Sequence, residues 1–268
     1  RSTLFPYTTL FRSPAGEARP ILQKKSDAGP VGIATMSYGQ GIAVTMIQQI
    51  TGICTIGNDG ILLQPRLVKE FRDSNGKVVK KIPVKRVRRV ISKQTASEMA
   101  LIMESVVSEG SGKRAMIPGY RVGGKTGTAS KVAAGGYSDD TYSSFIGMAP
   151  MDDPKIAVLV VIDNPRGEHY GSIVAAPPAR NVLAGALRYM NVEPRYTKSD
   201  EINMAKPKVT VPDVRGMQAS EAINKLSQSS LGHKAIADSG EKDFVVSDQY
   251  PKPGERIPEG GTVFIYKQ

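Results

Sequence analysis

From Ser37 to Gly60 apolar residues recur at helical spacing (Ile42, Val44, Met46, Ile47, Ile50), and the pattern stops at Asn58-Asp59-Gly60. Two strand-forming runs follow, Ile61–Phe71 and Lys77–Ile82, on either side of Asp73-Ser74-Asn75-Gly76. Asn-Gly between such runs predicts a hairpin. A second helix is expected to start near Ser92 or Thr95. Thr95-Ala-Ser-Glu98 has the form of a capping box, Met99, Ile102, Met103 and Val106 share one face, and Gly110-Ser111-Gly112 ends the run. Tyr120–Ala129 reads as a strand entering a loop. Tyr142–Met148 and Lys155–Ile162 read as two strands joined through Pro150-Met151-Asp152-Asp153-Pro154, and Ala175–Met190 as a helix started by Pro177-Pro178. Residues 192–207, rich in charge and proline, read as a linker. Beyond them lies a small α+β pattern of strand, helix and three strands. The order as a whole predicts an α+β fold: helices packed on an antiparallel sheet, a linker, and a small separate module.

Composition narrows this only slightly. With 268 residues, 40% hydrophobic and 23% charged, the chain suits one or two soluble domains. The net charge of +11 is unevenly placed. From Lys208 onward, 8 basic residues balance 8 acidic ones, so the excess lies earlier, much of it in Lys77, Lys80, Lys81, Lys85, Arg86, Arg88 and Arg89. That stretch reads either as a solvated hairpin and loop or as a surface for an anionic polymer. Nucleic acid is not expected, since aromatics are only 6% and no recognition motif accompanies the charge. Cys54 stands alone, excluding an intramolecular disulfide, and its apolar helical setting predicts a core position. Two histidines, His169 and His233, are too few for a zinc centre, so no metal or cofactor is expected. No apolar run approaches the roughly 20 residues that cross a bilayer.

The segment with chemistry in it is Gly123-Gly124-Lys125-Thr126-Gly127-Thr128-Ala129-Ser130. Gly119 to Thr126 satisfies the phosphate-loop pattern G-x-x-x-x-G-K-[ST], and Ile156–Ile162 followed by Asp163 resembles the strand and magnesium-holding acid of a nucleotide hydrolase. A phosphate loop, however, joins a buried strand to a helix start. Here Ala115-Met-Ile-Pro118 is short and proline-ended, and Gly127-Thr128 starts a helix poorly. The other reading is K-T-G, a known signature of serine acyl-transferases acting on D-alanyl peptides and β-lactams. A substrate ending in a carboxylate needs a cation and a hydroxyl, here Lys125 and Thr126. Gly127 lets a substrate backbone lie alongside. The Thr128 N–H can serve an oxyanion hole, where one donor contributes about 3–4 kcal/mol.

Around that strand the chain resembles class B penicillin-binding proteins. The resemblance rests on Ser37–Pro65, Glu109-Gly-Ser-Gly-Lys113, Gly119–Thr128 and Phe145-Ile-Gly-Met-Ala-Pro150, in the family's order over most of Ile21–Val192. Thr45-Met46 stands where Thr-Pro is usual, and Tyr170-Gly171-Ser172 where Tyr-Gly-Gly is frequent. The resemblance implies that residues 14–191 are the C-terminal part of a transpeptidase domain that cross-links peptidoglycan by serine acyl transfer. Lys125, Thr126, Gly127 and Thr128 are then the catalytic residues in this chain, with Lys125, Thr126 and Thr128 binding substrate. The implied partners are peptidoglycan stem peptides and β-lactams. The implied location is the extracytoplasmic face of the cytoplasmic membrane, by an anchor upstream of this chain.

The family's nucleophile motif, S-x-x-K at a helix start, has two literal matches, Ser74–Lys77 and Ser239–Lys242. One is the hairpin turn and the other lies in the tail, so neither is taken as the nucleophile, and no S-x-N occurs. This chain by itself is therefore expected not to acylate. Residues 1–13, RSTLFPYTTLFRS, resemble a translated sequencing adapter and are set aside, which places a truncation near Pro14. Residues 208–268 resemble a PASTA domain through Val211-Pro-Asp-Val-Arg-Gly216, Val246–Gly254 and Gly260-Gly-Thr-Val263. That implies a peptidoglycan-binding module, and a single copy most resembles the sporulation branch, with division enzymes left open. A binding or interaction module alone, and a nucleotide hydrolase, stand as the alternatives.

Overall fold

The computed structural model describes residues 29–39, 41–133, 136–236 and 243–267. The adapter-like residues 1–13 and the match Ser239–Lys242 lie outside them. The chain forms two compact units, the larger holding most of the chain up to Glu193 and the smaller most of it from Pro194 on.

The larger unit opens with helices α1 (Pro30–Met36) and α2 (Met46–Gly57). Helix α2 starts at Met46, later than the apolar pattern, because Thr45 caps it: the Thr45 hydroxyl accepts the Gln48 N–H while the Gln48 side chain accepts the Thr45 N–H. Cys54 lies on the exposed side of this helix, contrary to the expected core position. The packed residues there are Ile53 and Ile56. Neighbouring chain still removes enough water from the Cys54 thiol to raise its pKa.

Strands β1 (Ile61–Leu63), β2 (Glu70–Arg72), β3 (Val78–Lys81) and β4 (Arg86–Arg89) then form one long antiparallel ribbon. β1 pairs with β4 and β2 with β3. The ladders are linked by Gln64 N–H to Lys85 O and Ile82 N–H to Lys69 O. The run Ile61–Phe71 is thus two strands broken at Pro65. The predicted turn is in place: the Asp73 carboxylate accepts the N–H groups of Asn75 and Lys77, and Gly76 takes φ 80°.

Helix α3 (Lys93–Ser108) is capped by Ser92, whose hydroxyl accepts the Thr95 N–H at 3.0 Å, so Thr95 is a first-turn residue and not the cap. Its buried stripe is Ala96, Met103 and Val107, while Met99 and Ile102 of the predicted face are exposed. The central sheet is antiparallel, in the order β5 (Gly123–Ala133), β6 (Gly136–Ala149), β7 (Ile156–Asp163). The predicted loop after Ala129 is instead continuous strand. Met148 of β6, Met151 and Met103 pack with Ile53 and Ile56 of α2. After the short helix α4 (Gly171–Val174), α5 (Ala176–Tyr189) sets Ala176, Ala179, Leu183 and Leu187 against β6 and β7.

In the smaller unit, helix α6 (Lys198–Ala205) occupies much of the expected linker. Its start is fixed by Thr197 and Asp200 in a capping box. Strand β8 (Lys208–Thr210), helix α7 (Ala219–Gln228) and strands β9 (Gly232–Ile236), β10 (Asp248–Tyr250), β11 (Arg256–Pro258) and β12 (Thr262–Tyr266) follow, one strand more than expected. β12 lies between β10 and a parallel β9, while β11 pairs with β8. The core joins Val211, Val214, Ala222, Leu226, Val263 and Ile265. Gln249 is fully buried beside them: its carbonyl accepts the Val214 N–H, and its amide donates to Pro212 O and Pro251 O.

Candidate functional site

β5 is the edge of its sheet: β6 pairs with one side, and among the described residues no strand pairs with the other. Lys125, Thr126, Gly127 and Thr128 lie inside it, opposite Ile146, Phe145, Ser144 and Ser143. Extended backbone with an open side can accept a further extended chain.

The strand stays extended through its ladder with β6, and its glycines leave room for neighbouring side chains. A side chain at Gly123 would meet Met151 Sδ at 2.5 Å, and one at Gly124 would meet the Phe145 ring at 2.5 Å. The two glycines thus accommodate neighbouring side chains, and Lys125-Thr126 continues the strand instead of beginning a helix. That removes the geometry a phosphate loop requires. Asp163 is also taken, by an ion pair with Lys131, whose ammonium sits 4.8 Å from the Tyr142 ring centre. The hydrogen bond to Asp163 raises the Lys131 pKa.

Lys125 is exposed, and its ammonium donates to the Thr126 carbonyl at 2.8 Å. The Thr126 hydroxyl lies 3.1 Å from that of Ser111, just after α3. The Thr128 hydroxyl accepts the Gly171 N–H at 3.1 Å, and the Ser143 hydroxyl donates to His169 O. Gly171 is buried against the β5–β6 pair: a side chain there would stand 2.3 Å from Ser144 O and 2.4 Å from Gly127 O. Only glycine fits there, and the departure from Tyr-Gly-Gly falls one position later, at Ser172. Leading into β5, Arg121 is clamped to Glu104 of α3 by bonds of 2.7 and 2.6 Å, and that bond holds its guanidinium pKa above the ordinary value.

The four sequence-predicted residues are therefore contiguous along one open edge. Ser111, Ser143 and Gly171, which contact the strand or its partner, were not foreseen as site residues. Ser111 and Gly171 were legible only as members of the family-like runs Glu109–Lys113 and Tyr170–Ser172. A cleft of about 320 Å³ between α2, α3 and the Met151–Pro154 turn contains none of Lys125–Thr128, so the candidate chemistry sits on an open rim. Among the described residues no group of three or more His, Cys, Asp or Glu could hold a metal, and no helix is long and apolar enough to cross a membrane.

Comparison with known proteins agrees with this layout. Residues 14–184 match the penicillin binding protein transpeptidase domain, and residues 209–267 match the PASTA domain. Stage V sporulation protein D of Bacillus subtilis is 39% identical over 257 residues, covering 94% of this chain and 39% of that protein. A probable peptidoglycan D,D-transpeptidase PenA of Neisseria meningitidis is 32% identical over 182 residues, 67% of this chain and 29% of the relative. The chain thus spans well under half the length of these relatives. Among solved structures, the transpeptidase domain of Burkholderia pseudomallei penicillin-binding protein 3 is 36% identical, with a TM-score of 0.57 over 66% of this chain and 52% of that one. Penicillin-binding protein 3 of Mycobacterium tuberculosis in complex with ampicillin is 28% identical, with a TM-score of 0.61 over 69% of this chain and 43% of that one.

Proposed function

This chain belongs to the penicillin-binding protein transpeptidase family, and we propose that it supplies the substrate-binding edge strand of a peptidoglycan D,D-transpeptidase. The observation carrying this reading is the position of Lys125-Thr126-Gly127-Thr128 on the unpaired edge of β5. A stem peptide ending in D-alanine lies extended along that edge. Its terminal carboxylate meets the Lys125 ammonium and the Thr126 hydroxyl, and both groups are already oriented along the strand by Thr126 O and Ser111. Gly127 presents no side chain, so the donor backbone pairs closely. The Thr128 N–H stabilises the oxyanion as a serine attacks the scissile carbonyl, and the terminal D-alanine leaves before an acceptor amine takes the acyl group.

Neither S-x-x-K match suits the nucleophile: Ser74 lies in the ribbon turn, and Ser239 belongs to the stretch that matches the PASTA domain. The serine therefore comes from polypeptide not in this chain, and this chain alone is inactive. β-Lactams imitate the acyl donor on the same strand; the Mycobacterium tuberculosis neighbour is a complex with ampicillin. The PASTA domain adds contact with peptidoglycan. The setting is the extracytoplasmic side of the membrane.

The test is labelling by a fluorescent penicillin. This chain alone should not label, the product of the full open reading frame should, and Lys125→Ala in that product should slow labelling at least tenfold. A correctly folded full-length product that stays unlabelled would leave only a binding module and refute the enzyme reading.

A further inference from the structure

The β1–β4 ribbon carries charge that the transpeptidase reading does not use. Between Arg66 and Arg89 there are 10 basic residues and 2 acidic ones, Glu70 and Asp73. Both acids are engaged locally, Glu70 by Arg72 and Asp73 by the turn N–H groups. Arg66 and Arg89 are spent on backbone carbonyls, of Ile82 and of Asp59. Apart from Lys69, which precedes β2 on the other run of the ribbon, that leaves Lys77, Lys80, Lys81, Lys85, Arg86 and Arg88 along one arm. All six are exposed, and among the described residues none has a side-chain hydrogen bond or ion pair.

Six unpaired cations on one arm repel one another unless something outside the described chain neutralises them. Their spacing indicates what that is. At about 3.3 Å per residue, Lys77 to Arg88 spans up to ~36 Å of strand. A small anion would meet one or two of these groups, whereas a linear polyanion would meet all of them. The cations also come in adjacent pairs, Lys80-Lys81 and Lys85-Arg86. Neighbours on a strand point to opposite faces. A flat membrane could reach only one face of the ribbon, while a flexible polymer can wrap both. The two arginines can each grip a phosphate with two bonds, and the lysines meet it as point charges. Nucleic acid would add base stacking, but the only aromatic residue between Ile61 and Arg89 is Phe71.

We propose that this ribbon docks a linear polyol-phosphate polymer, a soluble chain of phosphodiesters without bases. Six neutralised phosphates give a slope of log affinity against log salt of about −4 on the single-strand scale, or roughly a 300-fold loss between 50 and 200 mM salt.

The experiment uses the full 268-residue chain and poly(glycerol phosphate) in a salt titration. The ribbon variant is Lys80→Gln, Lys81→Gln, Arg86→Gln and Arg88→Gln. The control, Lys198→Gln, Lys206→Gln, Lys208→Gln and Lys234→Gln, removes the same net charge elsewhere. Far-UV circular dichroism checks that both fold. The expected result is a slope near −4 for the parent and the control, falling to about −1.4 in the ribbon variant, where two of six contacts remain. No binding at 50 mM salt, or equal losses in the two variants, would overturn the proposal. So would preference for anionic phosphatidylglycerol vesicles, or tenfold tighter binding of an oligothymidylate with as many phosphates.

Discussion

Changing Gly171 to alanine tests whether the start of α4 holds the candidate strand in place. The new methyl would sit 2.3 Å from Ser144 O and 2.4 Å from Gly127 O, with Ser144 N at 3.0 Å. These are backbone atoms of a paired ladder and cannot swing aside, so α4 must lift by about 1 Å, at an overpacking cost of about 1–3 kcal/mol. Lifting also breaks the 3.1 Å bond from Gly171 N–H to the Thr128 hydroxyl. That loss is worth about 1 kcal/mol. The total is a destabilisation of about 2–4 kcal/mol. Gly185 provides the contrast. It lies inside α5, and nothing stands within 4 Å of a side chain built there. Gly185→Ala should therefore stabilise by about 0.5–1 kcal/mol. Urea unfolding followed by far-UV circular dichroism measures both, since the chain has no tryptophan. The same chemical change fourteen positions apart should move the midpoint in opposite directions. A Gly171→Ala loss below about 0.5 kcal/mol would show that the start of α4 yields and does not brace β5.

Three further outcomes are expected. Gln249→Leu strands the Val214 N–H and the Pro212 and Pro251 carbonyls in the core of the small unit, so it should cost that unit about 2–4 kcal/mol in urea, and a cost under about 1 would contradict the bonding described. Asp213 is held at a pKa of about 2, first by the Arg215 side chain and then by the Arg215 N–H. Because this folded pKa lies below the unfolded one, the contribution to stability is complete above about pH 4 and fades as pH falls towards 2; an NMR titration should show Arg215→Gln returning the midpoint towards the ordinary range, and an unmoved midpoint would refute the pairing. Ser92→Ala should cost about 1 kcal/mol and Thr95→Ala less than about 0.5, measured by thermal unfolding, whereas the reverse order would make Thr95 the true cap.

Local chemistry explains what was readable in advance. The Asn75-Gly76 turn, the strands on either side of Pro150–Pro154 and the proline start of α5 each depend on neighbours within a few residues, and each formed as expected. The misreadings concern partners. Met99 and Ile102 have the helical spacing of a core stripe, yet Ala96, Met103 and Val107 are the buried residues, because the packing of α3 selects only part of its apolar face. Cys54 is a similar case: an apolar run marked the helix but not its inward side. The start of α2 was legible in Thr45-x-x-Gln48 and was obscured by apolar residues upstream. At the candidate site, Lys125–Thr128 follow from a short motif. Ser111 and Gly171 reach that strand from 15 and 43 residues away in the chain, and no periodicity carries such a contact.

An unpaired strand edge is normally a hazard, and proteins commonly blunt it with lysine. β5 has Lys125 on such an edge, but two residues on comes Gly127, which carries no side chain and where one would crowd Ser144 Oγ at 2.7 Å. On the proposed reading the combination is selective rather than protective. An ordinary strand brings no charge to offset the ammonium and no reason to stop at Thr126, whereas a chain that ends in a carboxylate meets cation, hydroxyl and bare backbone in succession. The string Gly-Gly-Lys-Thr-Gly serves a phosphate just as well when its glycines are empty and a helix follows. Here Met151 and Phe145 fill the space over Gly123 and Gly124, and the backbone runs straight along its ladder with β6. Residues outside the motif thus decide which anion it can recognise.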